Sequence, residues 1–243
     1  MIESLATDRT LVMGVVNVTP DSFSDGGRWF DADEELRRVL PVVQGLVAEG
    51  VIVSVDTMRA TIAERALGAG AQLLNDVSGG RADPAMLPLA AASDVPIVLM
   101  HWREHSAGMQ NNTHYDDVVA DVGAELALQV EAALAAGIDR SRLVVDPGLG
   151  FSKTGDQNWT VLAHLDAFMA LGLPLLVAAS RKRFLGELLA DETGLRPTGE
   201  REAATAAVTM LAALAGAWCV RVHDPAASAD VVRVAARLRV EPT

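Results

Sequence analysis

The sequence has only one cysteine, Cys219, among its 243 residues. That excludes an internal disulfide and fits a reducing compartment such as the cytoplasm. Basic charge is also scarce: 20 Lys and Arg stand against 32 Asp and Glu, for a formal net charge of −12 and a pI near 4.8. This deficit argues against nucleic acid or an anionic membrane surface as a partner. Any anionic ligand must be held by a local cationic cluster against a repulsive overall field. Long hydrophobic runs are missing as well. The uncharged stretch 203–220 is mostly alanine, with Thr205, Thr209 and Gly216 inside it, and falls short of the roughly 20 strongly apolar residues of a membrane span. It reads as a buried helix followed by a strand. The opening MIESLATDRT has no basic region followed by an apolar run, so no signal peptide is expected. The dinucleotide fingerprint G-x-G-x-x-G is absent. PGLGFSKT at 147–154 looks like a phosphate loop but lacks the glycine before lysine that a Walker sequence requires.

Half of the residues are apolar, enough for a sizeable core. The chain is organised around 12–27, VMGVVNVTPDSFSDGG, a buried strand running into a long polar loop punctuated by Pro20, Gly26 and Gly27. Short apolar runs then alternate with amphipathic, alanine-rich stretches. Periodicity and turn residues predict helices over 34–49, 59–67, 85–92, 117–136, 158–171, 200–215 and 228–238. Strands are predicted over 51–56, 72–77, 96–100, 143–146, 174–180 and 218–223, and 101–115 reads as a long polar loop. No linker, charge block or fixed-period repeat divides the chain, so 1–243 reads as one domain. Alternating strands and helices imply a parallel sheet covered by helices, either an open doubly wound sheet or a closed barrel. Asn17, Asp56, Asn75, Asp146, Lys182, Arg221 and His223 all fall at or just beyond strand C-terminal ends. Polar groups from so many strands meet at one mouth only if the strands form a ring, which favours a TIM-type (β/α) barrel.

Strand alternation puts Arg221 and His223 on one face, and Asp56 with Ser54 on another strand's inner face. Asp56, Asn75 and Asp146 then supply fixed acceptors, suited to a planar heterocycle with several N–H donors. Met100 and Phe151 offer flat apolar walls. Lys182, Arg221, His223 and Asn17 suit a phosphate or diphosphate. Each residue also has a plainer reading. Asp56 could pair with Lys182 or Arg221 merely to hold the barrel together. His223 could be a satisfied polar tip, Asn75-Asp76 turn chemistry, and Met100 ordinary core. The coincidence of seven at one mouth favours a site.

The strings NVTPDSFSDGG, SVDT, NDVSGG, LMHW, DPGLGF, SRKRFLG and RVHD, in this order, closely resemble the dihydropteroate synthase family. The resemblance implies a TIM-type barrel, a cytoplasmic homodimer, and condensation of 6-hydroxymethyl-7,8-dihydropterin diphosphate with 4-aminobenzoate, the reaction that sulfonamides block. It implies that Asp56, Asn75, Asp146 and Lys182 hold the pterin beside Met100 and Phe151. It also implies that Asn17, Arg221 and His223 take the diphosphate with Mg²⁺, Asn17 being the metal contact, and that Asp25 lies in a covering loop. By the same resemblance Asp25, Lys182, Arg221 and His223 serve catalysis. The chain departs from the family pattern between Asp33 and Glu34, where another helix, strand and second loop are expected. The barrel is therefore about one βα unit short of eight. Three explanations stay open: a segment omitted from the string, a true deletion, or replacement by 101–115. Two other functions compete: a non-catalytic pterin-binding homologue, and a pterin-dependent methyltransferase, against which SRKRF, RVHD and the lack of a corrinoid domain weigh.

Overall fold

The computed structural model describes residues 2, 8–18, 32–104 and 112–239. Asp25 and its loop therefore lie outside the described residues. Among those described, seven parallel strands alternate with helices: β1 Leu11–Gly14, β2 Ser54–Asp56, β3 Leu73–Asp76, β4 Ile97–Met100, β5 Leu143–Asp146, β6 Leu176–Val177 and β7 Cys219–Val222. The helices are α1 Ala32–Ala48, α2 Ala60–Gly68, α3 Met86–Ala92, α4 Val118–Ala135, α5 Gly155–Ala163, α6 Leu165–Met169, α7 Arg183–Leu188, α8 Glu202–Ala215 and α9 Pro225–Arg239.

The pairing follows one circuit. Strands β2, β3, β4 and β5 pair in sequence order, a parallel bridge from Val145 to Leu175 leads to β6, and β6 pairs with β7. The last strand then pairs with the first, Val12 lying opposite Val220 and Met13 opposite Arg221. First-to-last pairing is the signature of a ring of staves, the TIM-barrel type of parallel α/β fold. Among the described residues β1 has no pairing with β2. That seam is where the resemblance places the additional helix and strand.

Alternation sorts the strand residues into two layers. Val53, Val55, Leu74, Ile97, Leu99, Val145, Val177, Val220 and Val222 point outward and pack beneath the helices in the main core. Leu73, Val98, Val144, Leu176, Ala178 and Cys219 point inward, with Leu11 and Met13 against them, and fill the lower lumen. Burial on both faces is why the strands read as continuous apolar runs rather than alternating ones.

Local chemistry fixes the helix ends. The Asp117 side chain accepts from the Val119 and Ala120 N–H groups at the start of α4. Thr154 and Gln157 form a reciprocal capping box on α5. Gly216, at φ 101°, ends α8 in the left-handed conformation that costs glycine least. Two helices depart from expectation. The stretch 158–171 is two helices rather than one, broken at His164, whose Nδ1 lies 2.8 Å from the Thr160 carbonyl. A short helix, α7, occupies 183–188, where none was expected. Among the described residues helix α1 buries only Val43 of its apolar face. Val16, Val51 and Ile52, beside β1 and β2, are 63%, 45% and 53% exposed. Among the described residues no helix is long and apolar enough to cross a membrane.

Candidate active site

Register and parity assemble the site at the strand C-terminal ends. Asp56 lies directly opposite Asn75, and Met100 directly opposite Asp146. Each shares the inward parity of lumen residues on its own strand: Asn75 with Leu73, Met100 with Val98, Asp146 with Val144, and Arg221 with Cys219. Asp56 faces in because Val53 and Val55 face out. Asn75, Met100 and Asp146 are buried, whereas Asp56 keeps some solvent contact. Asp76, of the opposite parity, does turn chemistry: it accepts from the Ser78 and Gly80 N–H groups and the Ser78 hydroxyl. The Asn75-Asp76 pair thus divides, one residue for the lumen and one for the turn.

Asp146 Oδ1 accepts the Gly148 N–H at 2.8 Å. Burial pushes its pKa above the usual carboxylate range, opposed chiefly by Lys182 and the Gly148 bond. Burial in turn pulls Lys182 down to about 8, with Asp146 the main opposing charge. The Lys182 ammonium donates to the Leu149 carbonyl and stands 4.6 Å from the Phe151 ring centroid. Its position depends on a strained neighbour. Arg181 has φ 60°, held by its N–H on Thr205 Oγ1 and its carbonyl on the Arg201 guanidinium. Strain of this kind persists only where the surroundings over-determine it.

Arg221 reaches across the mouth and donates to Asp56 Oδ2 at 2.6 Å. The plainer reading of Asp56 as a partner of Arg221 is therefore seen in the structure. Ser180 Oγ accepts the His223 backbone N–H at 3.1 Å and lies 2.9 Å from His223 Nδ1. Ser180 thus has its hydroxyl proton free for Nδ1, which leaves Nε2 to carry the imidazole proton. Burial, then Arg181 and Arg221, lower the His223 pKa and so disfavour the imidazolium. Asn17 lies three residues beyond β1 and is exposed.

The structure thus gathers Asp56, Asn75, Met100, Asp146, Phe151, Lys182, Arg221 and His223 around one mouth, with Asn17 following the adjacent strand. Among the described residues no group of three or more His, Cys, Asp or Glu could hold a metal ion. Sequence reading misses Lys153, His101 and Asn158, all buried. Asn158 Oδ1 accepts the Gly150 N–H at 2.6 Å and so shapes the 147–153 loop. The phosphate-loop look of PGLGFSKT is the available signal, but its lysine turns inward to carbonyls.

A parallel barrel with carboxylates, an amide, a lysine and an arginine converging on one lumen defines a small-molecule enzyme reading a polar ring and an anion. The Pterin binding enzyme family matches residues 29–223. The chain is 49% identical to the dihydropteroate synthase of Mycobacterium leprae (strain TN), covering 92% of this chain and 91% of that one. The dihydropteroate synthase of Xanthomonas albilineans in complex with 7,8-dihydropteroate superposes with a TM-score of 0.85 at 40% identity, covering 97% and 95%. Its complex with 4-aminobenzoic acid gives the same TM-score at 39% identity and the same coverage. The chain belongs to the dihydropteroate synthase family. The M. leprae alignment spans 259 positions, more than the 243 residues of this chain. The relative therefore has residues that this chain lacks.

Proposed function

We propose that this chain condenses 6-hydroxymethyl-7,8-dihydropterin diphosphate with 4-aminobenzoate to give 7,8-dihydropteroate and diphosphate. One observation carries the reading: two in-register pairs, Asp56 with Asn75 and Met100 with Asp146, place acceptors and an apolar wall around one lumen beside Lys182. The pterin's amidine-like edge donates to Asp146, with Asp56 and Asn75 available to its remaining donors. Lys182 supplies a donor to the ring's acceptor side, and Met100 and Phe151 flank the ring.

At the other end, the diphosphate displaces Asp56 from Arg221. The C–O bond to diphosphate breaks first, and Arg221 takes the charge growing on the leaving oxygens, with the His223 Nε2–H as a second donor. The arylamine nitrogen then attacks the pterin methylene cation to form the C–N bond, and its surplus proton passes to the departed diphosphate or to water. The Asn17 amide oxygen would be the protein's contact for Mg²⁺, an ion commonly held by one or two protein groups plus substrate phosphates. When bound, Mg²⁺ neutralises the leaving group's charge. The resemblance assigns Asp25 to favouring the cationic methylene.

The reading extends to a single working domain, supported by a main core drawing on helices from α1 to α9. A cytoplasmic setting is supported by the lone, buried Cys219. A homodimer is supported by Leu211 and Leu214, 57% and 42% exposed on α8, beside an apolar groove of about 420 Å³ that Trp159 and Leu162 help line. Light scattering on the purified chain tests the dimer. A second reading, a pterin binder without catalysis, is favoured by the β1 and β2 edges, which have no pairing among the described residues, and by the longer span of the relative. Measuring dihydropteroate formation beside a pterin-binding titration separates the two. Product formation, blocked by a sulfonamide, supports the transferase, and binding without product supports the second reading.

A further inference from the structure

Lys153 is a cation placed where cations are costly. Its residue is only 3% exposed, and the resemblance gives it no role. Its ammonium lies 3.1 Å from the Gly148 carbonyl, 3.3 Å from the Phe151 carbonyl and 3.0 Å from His101 Nδ1. Three acceptors use all three ammonium protons. The loop is bent to make this possible: Gly148, Ser152 and Gly150 have φ of 66°, 47° and 78°, turning carbonyls inward onto one charge. A Cβ at Gly148 would stand 2.4 Å from the His101 carbonyl, so the loop also sits directly on β4's exit.

The cradle is anchored from outside. His101 is fully buried, and its Nε2 lies 2.9 Å from Glu125 Oε2. Burial lowers the His101 pKa to about 4, so the ring is neutral, with Nε2–H facing Glu125 and Nδ1 accepting from Lys153. Arg103 grips Glu125 through Nε and its terminal nitrogen, and its guanidinium lies 3.8 Å from the Tyr115 ring centroid. The Tyr115 hydroxyl returns to the Ser152 carbonyl at 2.9 Å. A closed circuit of side chains thus grips the backbone of 148–152. The same backbone presents the Gly148 N–H to Asp146, the Leu149 carbonyl to Lys182, and the Phe151 ring to the mouth.

We propose that Lys153 is a positioning residue for the pterin pocket, its ammonium holding the 147–153 loop so that Asp146, Lys182 and Phe151 stand in binding geometry. The proposal rests on the pterin reading of the site. Lys153 touches no reacting atom. It acts through backbone carbonyls and, as a nearby cation, helps keep Asp146 ionised. The charges facing Lys153 are Asp146 and Glu125, which favour its ammonium, and Lys182 and Arg103, which oppose it. Burial lowers its pKa to about 7. Asp146 faces Lys182, Arg221 and Lys153.

The test is calorimetric titration of 6-hydroxymethylpterin into the full chain between pH 5 and 9, with Lys153→Met and Glu125→Gln as variants. Lys153→Met takes the ammonium donor from His101 Nδ1 and the Phe151 carbonyl, and leaves the Gly148 carbonyl with the Phe151 N–H alone, and its Kd is expected to rise about tenfold or more near pH 6. Its acid limb is expected to move to higher pH, because Asp146 has lost a neighbouring cation; a merely structural role would weaken binding without moving that limb. Glu125 is partly exposed, so Glu125→Gln keeps the fold if Lys153→Met does not. Removing that carboxylate lowers the Lys153 pKa, and the alkaline limb of pterin affinity is expected to move to lower pH. Glu125 is not among the charges that set Lys182, so this shift reports Lys153. Wild-type affinity and pH profile in a folded Lys153→Met would overturn the proposal. So would an unmoved alkaline limb in Glu125→Gln. Absence of pterin binding by the wild-type chain overturns the pterin reading itself.

Discussion

Replacing Asp146 by asparagine is the sharpest perturbation of the mouth. The carbonyl oxygen of the substituted amide can keep the Gly148 N–H bond that Asp146 Oδ1 accepts at 2.8 Å. The other oxygen becomes an NH₂ group, a donor facing the pterin's donors and the Lys182 ammonium. The loss is then two charge-assisted hydrogen bonds, each contributing about 1.5–3 kcal/mol. The expected penalty is about 3 kcal/mol or more, on the order of a hundredfold in Kd. Stability behaves differently. Burial makes the Asp146 charge costly, as its raised pKa shows, so the neutral amide relieves that cost. The melting temperature is expected to stay within about 3 °C of wild type or to rise. Isothermal titration with 6-hydroxymethylpterin, beside a thermal melt of each protein, reads both quantities. Equal pterin affinity in a folded variant refutes the assignment.

Further outcomes follow from the same geometry. Arg221→Ala removes the cation that pairs with Asp56 at 2.6 Å, and is expected to weaken binding of the pterin diphosphate far more than of 6-hydroxymethylpterin; equal losses by calorimetry would contradict the division of the mouth. Gly148→Ala places a Cβ 2.4 Å from the His101 carbonyl at φ 66°, and is expected to cost about 2 kcal/mol or more, read by urea denaturation. Stability should fall as pH drops from about 6.5 to 4, because the unfolded chain protonates His101 while the folded ring, lowered to about 4 by burial, resists. Glu125, lowered to about 2, adds a further loss below about 4.5. In His101→Gln the upper part of this fall should vanish from the pH dependence of the melting temperature.

Alternation and strand ends carry most of what the bare sequence makes legible. Counting in twos places Asp56, Asn75, Asp146 and Arg221 on the lumen, and the register bears this out. The break at His164 is not legible, because the apolar spacing of 158–171 continues through it and only backbone geometry ends the helix. Lys153 escapes because a lysine after a glycine-rich turn resembles a phosphate ligand, and burial is a tertiary fact. Its partner His101 and that histidine's anchor Glu125 lie 52 and 28 residues away in sequence, joined only by the packing of α4 on β4. The seam between β1 and β2 is legible as a missing unit, since the count of strands falls short of eight without any knowledge of pairing.

The most direct test of the account is the steady-state appearance of 7,8-dihydropteroate when the purified chain meets dihydropterin diphosphate, 4-aminobenzoate and Mg²⁺. One diphosphate should be released per dihydropteroate formed, with both lost in Asp146→Asn. Tight pterin binding by the wild-type chain with no dihydropteroate formed would contradict it.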